Sequence, residues 1–231
     1  VDFRLAALLF LCALILNGVA IFNLEYFRHT EADRTLIAWE MYESGDYLIP
    51  HLIHSPIFTK PPLFYWLLAY SFKLFGGVSE AAARVPSVII AALFVIMQFF
   101  TYRGIGANRS QATMAAAMLA TSSGVMLLGA VAEIDMLFGF LTAAALYAFY
   151  FGVERNSLLM FFLLGILGAL AFLTKGPPFI FFLAAAGFVF SAVQIFRSRK
   201  RSGEEGPTHQ QYFPTIPRFI FLLLVSLATF T

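Results

Sequence analysis

Six long stretches without a charged residue constrain this chain more than any other feature. They occupy residues 5–22, 85–102, 110–132, 136–153, 156–174 and 176–196. Each is close to the roughly 17–25 residues that an α-helix needs to cross a bilayer. Only 12% of the residues are charged and 60% are hydrophobic, whereas soluble domains average about 25% charged residues. The sequence therefore predicts an all-α protein, a polytopic transmembrane helix bundle.

Both ends of the chain indicate a longer protein. The sequence starts at Val1, and it stops within an apolar run, 219–231, that is too short to cross a bilayer. Arg4 precedes the first apolar stretch, and no small-residue cleavage site follows, so we predict a retained signal-anchor helix. Cys12 is the only cysteine, which excludes disulfides and Cys-ligated metal sites. We therefore interpret residues 1–231 as the N-terminal part of a membrane domain.

The basic residues of the short loops predict the orientation in the membrane. Lys and Arg favour the cytoplasmic side, and the densest basic cluster lies at 197–201. Residues 197–218 then form a cytoplasmic linker, and the long loop 23–83 is external. The shorter external turns are those around 133–135 and 175–178. Most acidic residues fall on this external face, as a site for a charged, membrane-borne substrate would require.

The long external loop is expected to contain two helices. In TEADRTLIAWEMYESGD, Thr30 is a plausible N-cap, Asp33 lies near the capping-box position, and Ser44-Gly45 ends the helix. A second helix over about 62–75 follows a double proline and is rich in aromatic residues. It is too short to cross a bilayer, and an aromatic helix of this length suits the membrane interface. The loop therefore predicts a platform of interfacial helices.

Two lysines of the external face stand just before double prolines, Lys60 in TKPP and Lys175 in TKGPP. Proline at a helix start costs no hydrogen bond, because that N–H has no helical partner. The free N–H groups of a helix start, together with an ammonium group, form an anion site, and a lipid phosphate is the natural anion there. The alternative is a lysine that extends its charge to the headgroups. The candidate substrate-binding residues are Lys60, Lys175, Arg84 and Tyr65.

Other polar residues of the external face have competing explanations. Asp135, in the Glu133-Ile134-Asp135 turn, is either a functional carboxylate or a charge that favours a helix start. His51 and His54 are spaced for one helical face but are bracketed by prolines, and no third ligand is evident. We therefore predict no metal site.

At these motifs the chain resembles a known family. The runs EMYESGDYLIPHL, KPPLFYWLLAYSFKLFG and SEAAARVPSV are similar to the first external loop and second span of the aminoarabinose transferase and protein mannosyltransferase group. The runs EIDMLFGFLTAAAL and FLTKGPPF resemble its following helices. The group consists of GT-C fold glycosyltransferases that use polyprenyl-phosphate sugars. The resemblance covers nearly all of 5–196. It implies a GT-C-like multi-pass protein of the bacterial inner (plasma) membrane, with its active site facing the periplasm or exterior.

The resemblance also implies roles for single residues. The family carries an acidic pair, commonly Asp-Glu, at the start of the first external helix, where this chain has Thr30 and Glu31. Lys60 matches a lysine taken to contact the lipid phosphate, and Asp135 matches an aspartate of the second external turn. We prefer Glu31 as the catalytic base, because the helix dipole keeps a carboxylate there ionised. Asp33 is the rival base, and Asp135 is a helper.

The sequence thus predicts an integral membrane glycosyltransferase. It would move a sugar from a polyprenyl-phosphate-linked donor to a lipid, glycan or protein acceptor at the external face of the bilayer. A carboxylate would assist the attack, and lysines would hold the phosphate leaving group. No cofactor and no nucleic-acid partner are expected. The alternatives are a noncatalytic scaffold and a transporter or flippase of a lipid-linked anion, which would place ionisable residues near the bilayer midplane.

Overall fold

The computed structural model of the chain describes residues 2–19, 21 and 29–201. The helices of this part are α1 (Asp2–Gly18), α2 (His29–Ser44), α3 (Leu63–Phe75), α4 (Glu80–Gly104), α5 (Arg109–Ala120), α6 (Ser123–Gly129), α7 (Ile134–Glu154), α8 (Leu158–Lys175) and α9 (Pro178–Arg201). A short antiparallel hairpin between α2 and α3 pairs β1 (His51–Leu52) with β2 (Ser55–Pro56). The predicted all-α class is confirmed.

Three of the described helices, α4, α7 and α8, are long and apolar enough to cross a membrane. Together α5 and α6 qualify as a fourth span, bent by 56°. The predicted span 110–132 therefore corresponds to two helices joined at a bend. Hydroxyl groups explain the break, because Thr121 and Ser122 donate to carbonyls of the preceding turn. The Ser122 hydroxyl also accepts a hydrogen bond from the N–H of Val125, and this contact caps the start of α6.

The ends of the chain differ in part from the predicted boundaries. The first helix, α1, ends at Gly18, before the end of the predicted span 5–22. The last described helix, α9, runs to Arg201 and so extends into the predicted linker 197–218. The remainder of that segment and the run 219–231 lie outside the described residues.

The chain divides into two compact units, the first ending at Phe140 and the second beginning at Leu141. In the first unit α4 is central and packs against α1, α3, α5 and α6. Small side chains allow this close packing of helices. Its buried core contains Ala6, Ala13, Ala92, Ala112, Ala116, Ala120, Val95 and Phe99. In the second unit α8 packs against α9, and Phe161 lies over Gly152.

The two ends of α4 carry separate groups of charges. Near its C-terminal end, Arg103 Nε lies 3.2 Å from Asp2 Oδ2, and Arg109 of α5 lies close to the same carboxylate. Near its N-terminal end, Arg84 contacts Glu31 of α2. The first unit thus keeps the basic residues of the predicted cytoplasmic side apart from the acidic residues of the predicted external side.

Gly129 marks a close approach of α6 to α1 and α4. A Cβ at this position would lie 2.5 Å from Asn17 Oδ1 and 2.9 Å from Ala91 Cβ, in two residues that are both buried. We expect Gly129→Ala to destabilise the protein by about 1–3 kcal/mol, because the core has no room to expand. The measurement is the unfolding midpoint of the detergent-solubilised protein. Gly124→Ala, in the same helix but in open space, should be neutral or stabilising; equal losses would contradict the close approach.

Candidate active site

Helix α2 carries most of the predicted catalytic residues, and it begins at His29. Thr30 therefore lies inside the first turn, and its Oγ1 donates to Glu133 Oε1 at 2.7 Å. The prediction of Thr30 as N-cap, with Asp33 as its capping-box partner, is wrong, because the Thr30 hydroxyl donates its hydrogen bond to the distant Glu133 carboxylate. The predicted end of the helix is confirmed, since α2 stops at Ser44 and Gly45 adopts the left-handed conformation with φ of 73°.

The most deeply buried charges are those of Glu31 and Arg84, whose side chains are both 0% exposed. Arg84 Nε donates to Glu31 Oε1 at 2.8 Å, and Nη2 donates to Oε2 at 3.2 Å. Glu31 Oε1 also accepts the N–H of Ala132 at 2.9 Å, and Arg84 Nη1 donates to the carbonyl of Ile21 at 3.3 Å. This bidentate pair connects α2 with the N-terminal end of α4 and with the turn before α7.

A second ion pair lies beside the first and joins Arg34 of α2 to Glu133. The Arg34 guanidinium contacts Oε2 of Glu133, while Oε1 accepts the Thr30 hydroxyl. Burial lowers the pKa of Arg34, and the neighbouring Tyr65 and acidic residues act in the opposite direction. A guanidinium nevertheless stays protonated in proteins. Arg34 is therefore a fixed positive charge among several carboxylates.

Asp33 and Asp135 are half-buried, which distinguishes them from the fully buried Glu31. Both aspartates act electrostatically on Arg34, so α2 and the first turn of α7 bring them to the same region. Tyr65 of α3 completes this region. Burial raises the pKa of Tyr65, Asp33 raises it further and Arg34 opposes the shift. Its phenol is therefore a protonated hydrogen-bond donor at neutral pH.

We refer to these residues as the charged cluster. Its members are Glu31, Asp33, Arg34, Tyr65, Arg84, Glu133 and Asp135. All belong to the first unit. The sequence singled out five of them as site residues but not Arg34 or Glu133. A signal was present for Arg34, because Thr30 and Arg34 are four residues apart and so share one helix face that a single partner can contact.

The two predicted phosphate-binding lysines occupy different surroundings. Lys60 is half-buried in the segment before α3, and Pro62 is the N-cap of that helix. Among the residues described, Lys60 has no carboxylate partner. Lys175 is the last residue of α8 in the second unit. Helix α3 therefore begins directly after the double proline that follows Lys60, as predicted. At the second site Lys175 is itself part of α8, and α9 begins three residues later at Pro178.

The segment between Lys60 and α2 forms the hairpin, so His51 and His54 do not share a helical face. Glu40 of α2 binds the hairpin tip, since its carboxylate accepts the N–H of Ile53 at 2.7 Å and that of His54 at 3.2 Å. A groove of about 430 Å³ separates the end of α2 from the hairpin. Within the described part of the chain, no three His, Cys, Asp or Glu residues are grouped to hold a metal ion.

Comparison with known proteins places this arrangement in a family. A family model described as dolichyl-phosphate-mannose-protein mannosyltransferase matches residues 59–202. An undecaprenyl phosphate-alpha-4-amino-4-deoxy-L-arabinose arabinosyl transferase of Pectobacterium carotovorum is 31% identical over 204 residues, which are 87% of this chain and 34% of that relative. A transferase of the same description from Serratia proteamaculans is 28% identical over 190 residues, with 80% of this chain and 32% of the relative covered. The chain thus spans about a third of the length of these curated relatives.

Two solved structures share the fold. The crystal structure of ArnT from Cupriavidus metallidurans in the apo state matches with a TM-score of 0.74 at 17% identity, over 99% of this chain and 41% of ArnT. The structure of the same protein bound to undecaprenyl phosphate matches with a TM-score of 0.69 at 18% identity, over 100% of this chain and 41% of ArnT. These matches confirm the predicted bundle architecture. Because the family model covers more than half of the chain, this protein belongs to the dolichyl-phosphate-mannose-protein mannosyltransferase family.

Proposed function

We propose that this chain forms part of an integral membrane glycosyltransferase. The enzyme moves a sugar from a polyprenyl-phosphate-linked donor to a lipid, glycan or protein acceptor at the external face of a bacterial inner membrane. One observation carries the proposal. The charged cluster gathers acids, a fixed cation and a phenol at one end of α4 and α7, which are long enough to cross the bilayer. Charges confined to a helix end suit chemistry at the membrane surface.

Within the cluster, Asp33 is the better candidate for the base that receives the acceptor's proton. A general base must come within hydrogen-bond reach of that proton. Glu31 is fully buried and both of its oxygens are engaged by Arg84, whereas the Asp33 side chain is half-buried on the same helix. Asp135 lies near the same guanidinium and would orient the acceptor. We therefore propose Asp33 before Glu31 as the base, the reverse of the order that the sequence favours.

The remaining candidates divide into residues that contact the donor and residues that hold the site together. Arg84 is fully buried against Glu31, so we assign it to the support of α2. Lys60 is the candidate for the donor phosphate, because it is partly accessible and no described carboxylate neutralises it. Lys175 is a second candidate cation, in the other unit. Tyr65 supplies a phenolic donor beside Asp33.

Helix α3 has the surface that a lipid-linked donor requires. Its buried face, with Phe64, Leu68 and Phe72, lies against the protein. Its other face exposes Tyr70, Leu74 and Phe75, each by more than half of its surface. An exposed aromatic and aliphatic face on the helix that follows Lys60 suits a ligand with an apolar chain and an anionic headgroup.

Replacement of Lys60 tests its role at the phosphate. We expect Lys60→Ala to lower turnover by about 10²–10³-fold, because a charge-assisted contact to the leaving group is lost in the transition state. Lys60→Arg should retain part of the activity, since the charge survives with a different geometry. Lys73→Ala, on the exposed side of α3, is the matched control. Equal turnover of Lys60→Ala and Lys73→Ala would exclude Lys60 from the phosphate site.

The activity itself is tested with the whole protein in proteoliposomes. A panel of undecaprenyl-phosphate-linked sugars is supplied with membrane lipid, glycan and protein acceptors, and released undecaprenyl phosphate is measured with the glycosylated product. We expect stoichiometric formation of both products with at least one pair of substrates. Movement of a donor across the bilayer without sugar transfer would instead identify a transporter and would refute the proposal.

A further inference from the structure

We propose that Glu133 is a positioning residue for this reaction. It fixes the start of α7, which carries Asp135, against α2, which carries Asp33. The inference rests on the proposed function of the charged cluster, and it assigns a role to a residue that touches neither substrate. The structural basis is a set of contacts that run in both directions between α2 and the turn before α7.

The contacts involve two consecutive residues of that turn. The N–H of Ala132 donates to Glu31 of α2 at 2.9 Å. The next side chain, Glu133, accepts the Thr30 hydroxyl of α2 at 2.7 Å and pairs with Arg34. Glu31 of α2 thus accepts a hydrogen bond from the turn, and Glu133 of the turn accepts one from α2. Contacts of opposite direction at adjacent positions prevent sliding of one segment along the other.

The Glu133 carboxylate is itself confined. Glu133 is 3% exposed as a residue, and each of its oxygens has a partner on α2. A buried carboxylate is costly unless it is paired and hydrogen-bonded with good geometry, so departures from this arrangement are disfavoured. Because both oxygens are occupied, Glu133 is not placed to take a proton from a substrate. Its position suits support of the site.

The confinement of Glu133 extends to Asp135. The Glu133 backbone N–H donates to the Val131 carbonyl at 2.9 Å, and its own carbonyl accepts the N–H of Met136 at 3.4 Å. Asp135 lies between these anchored positions in the first turn of α7. On the other side, Arg34 directly follows Asp33 in α2. The contact of Glu133 with Arg34 therefore controls the separation of the two aspartates, and displacement of about 1 Å can cost about 100-fold in rate.

Glu133→Gln tests this role, because glutamine keeps the size and the hydrogen bond to Thr30 but loses the ion pair with Arg34. We expect kcat to fall by about 10- to 100-fold. We expect the KM for the undecaprenyl-phosphate-linked sugar to stay within about threefold of wild type, since the phosphate contact is unchanged. Glu133→Asp retains the charge and should recover part of kcat. Glu80→Gln, a half-buried glutamate at the start of α4, should match wild type.

Two further measurements separate positioning from folding and from function. Glu133→Gln should lower the melting temperature, because Arg34 loses its charged partner, so kcat is expressed per folded molecule. The increase in melting temperature on addition of undecaprenyl phosphate should be the same as in wild type. A kcat of Glu133→Gln equal to wild type would overturn the positioning role while leaving the proposed function intact. A loss of kcat that follows a loss of folded protein and is not recovered by Glu133→Asp would also overturn it. Absence of turnover by wild type with every donor would refute the proposed function and the inference with it.

Discussion

Arg84→Met is expected to destabilise the protein by about 3–5 kcal/mol, because it leaves the Glu31 carboxylate buried without its charged partner. The pair is inaccessible to water on both sides, with two hydrogen bonds between the side chains. The lost guanidinium also bonds the carbonyl of Ile21. The measurement is the denaturation midpoint in detergent, together with the amount of folded protein in membranes.

Two controls sharpen this test. Arg103→Met removes an exposed pair with Asp2, and such pairs contribute only about 0–1 kcal/mol. The double variant Glu31→Met with Arg84→Met should be more stable than Arg84→Met alone, since it leaves neither charge in the interior. If Arg84→Met were no less stable than Arg103→Met, the interior ion pair would not exist in solution.

Asp33→Asn is expected to lower turnover by about 10²–10⁴-fold at a normal level of folded protein, because the amide cannot accept the proton of the acceptor. Glu31→Gln should behave differently. It leaves Arg84 buried without a counter-charge, so the main loss is of folded protein and not of turnover per folded molecule. The measurement is the rate of sugar transfer divided by the amount of monodisperse protein for each variant.

Glu43→Gln is the matched control, since Glu43 lies on the exposed side of the same helix. It should retain the turnover of wild type. Near-normal turnover in Asp33→Asn, with a collapse per folded molecule in Glu31→Gln, would return the role of base to Glu31. Normal turnover per folded molecule in both variants would remove α2 from the catalytic site.

The features that the sequence predicted well depend on composition and on neighbouring residues. Long uncharged stretches identify α4, α7 and α8, because the bilayer imposes a length and an apolar surface on each helix. The end of α2 at Ser44 follows from the conformational freedom of Gly45. The motif around Lys60 and the SGD sequence indicated the family, which the comparisons confirmed.

The features that it did not predict depend on contacts between distant segments. Threonine is a residue type typical of N-caps, yet the Thr30 hydroxyl donates its hydrogen bond to Glu133, 103 residues further along the chain. The sequence predicts Glu31 as an accessible base at a helix start, yet Arg84, 53 residues away, binds its buried carboxylate. Rules for caps and dipoles describe one helix in water. They cannot include a carboxylate or guanidinium that another helix supplies.

The hairpin between α2 and α3 has a consequence for the order of assembly. Both residues of its tip, Ile53 and His54, have positive φ angles of 53° and 60°. A β-branched residue such as Ile53 rarely adopts this conformation without support. The support is the Glu40 carboxylate, which accepts both tip N–H groups and is available only when α2 has formed. We therefore expect the segment from α2 to the hairpin to fold from its N-terminal side during synthesis, with α2 serving as the template on which the later hairpin closes.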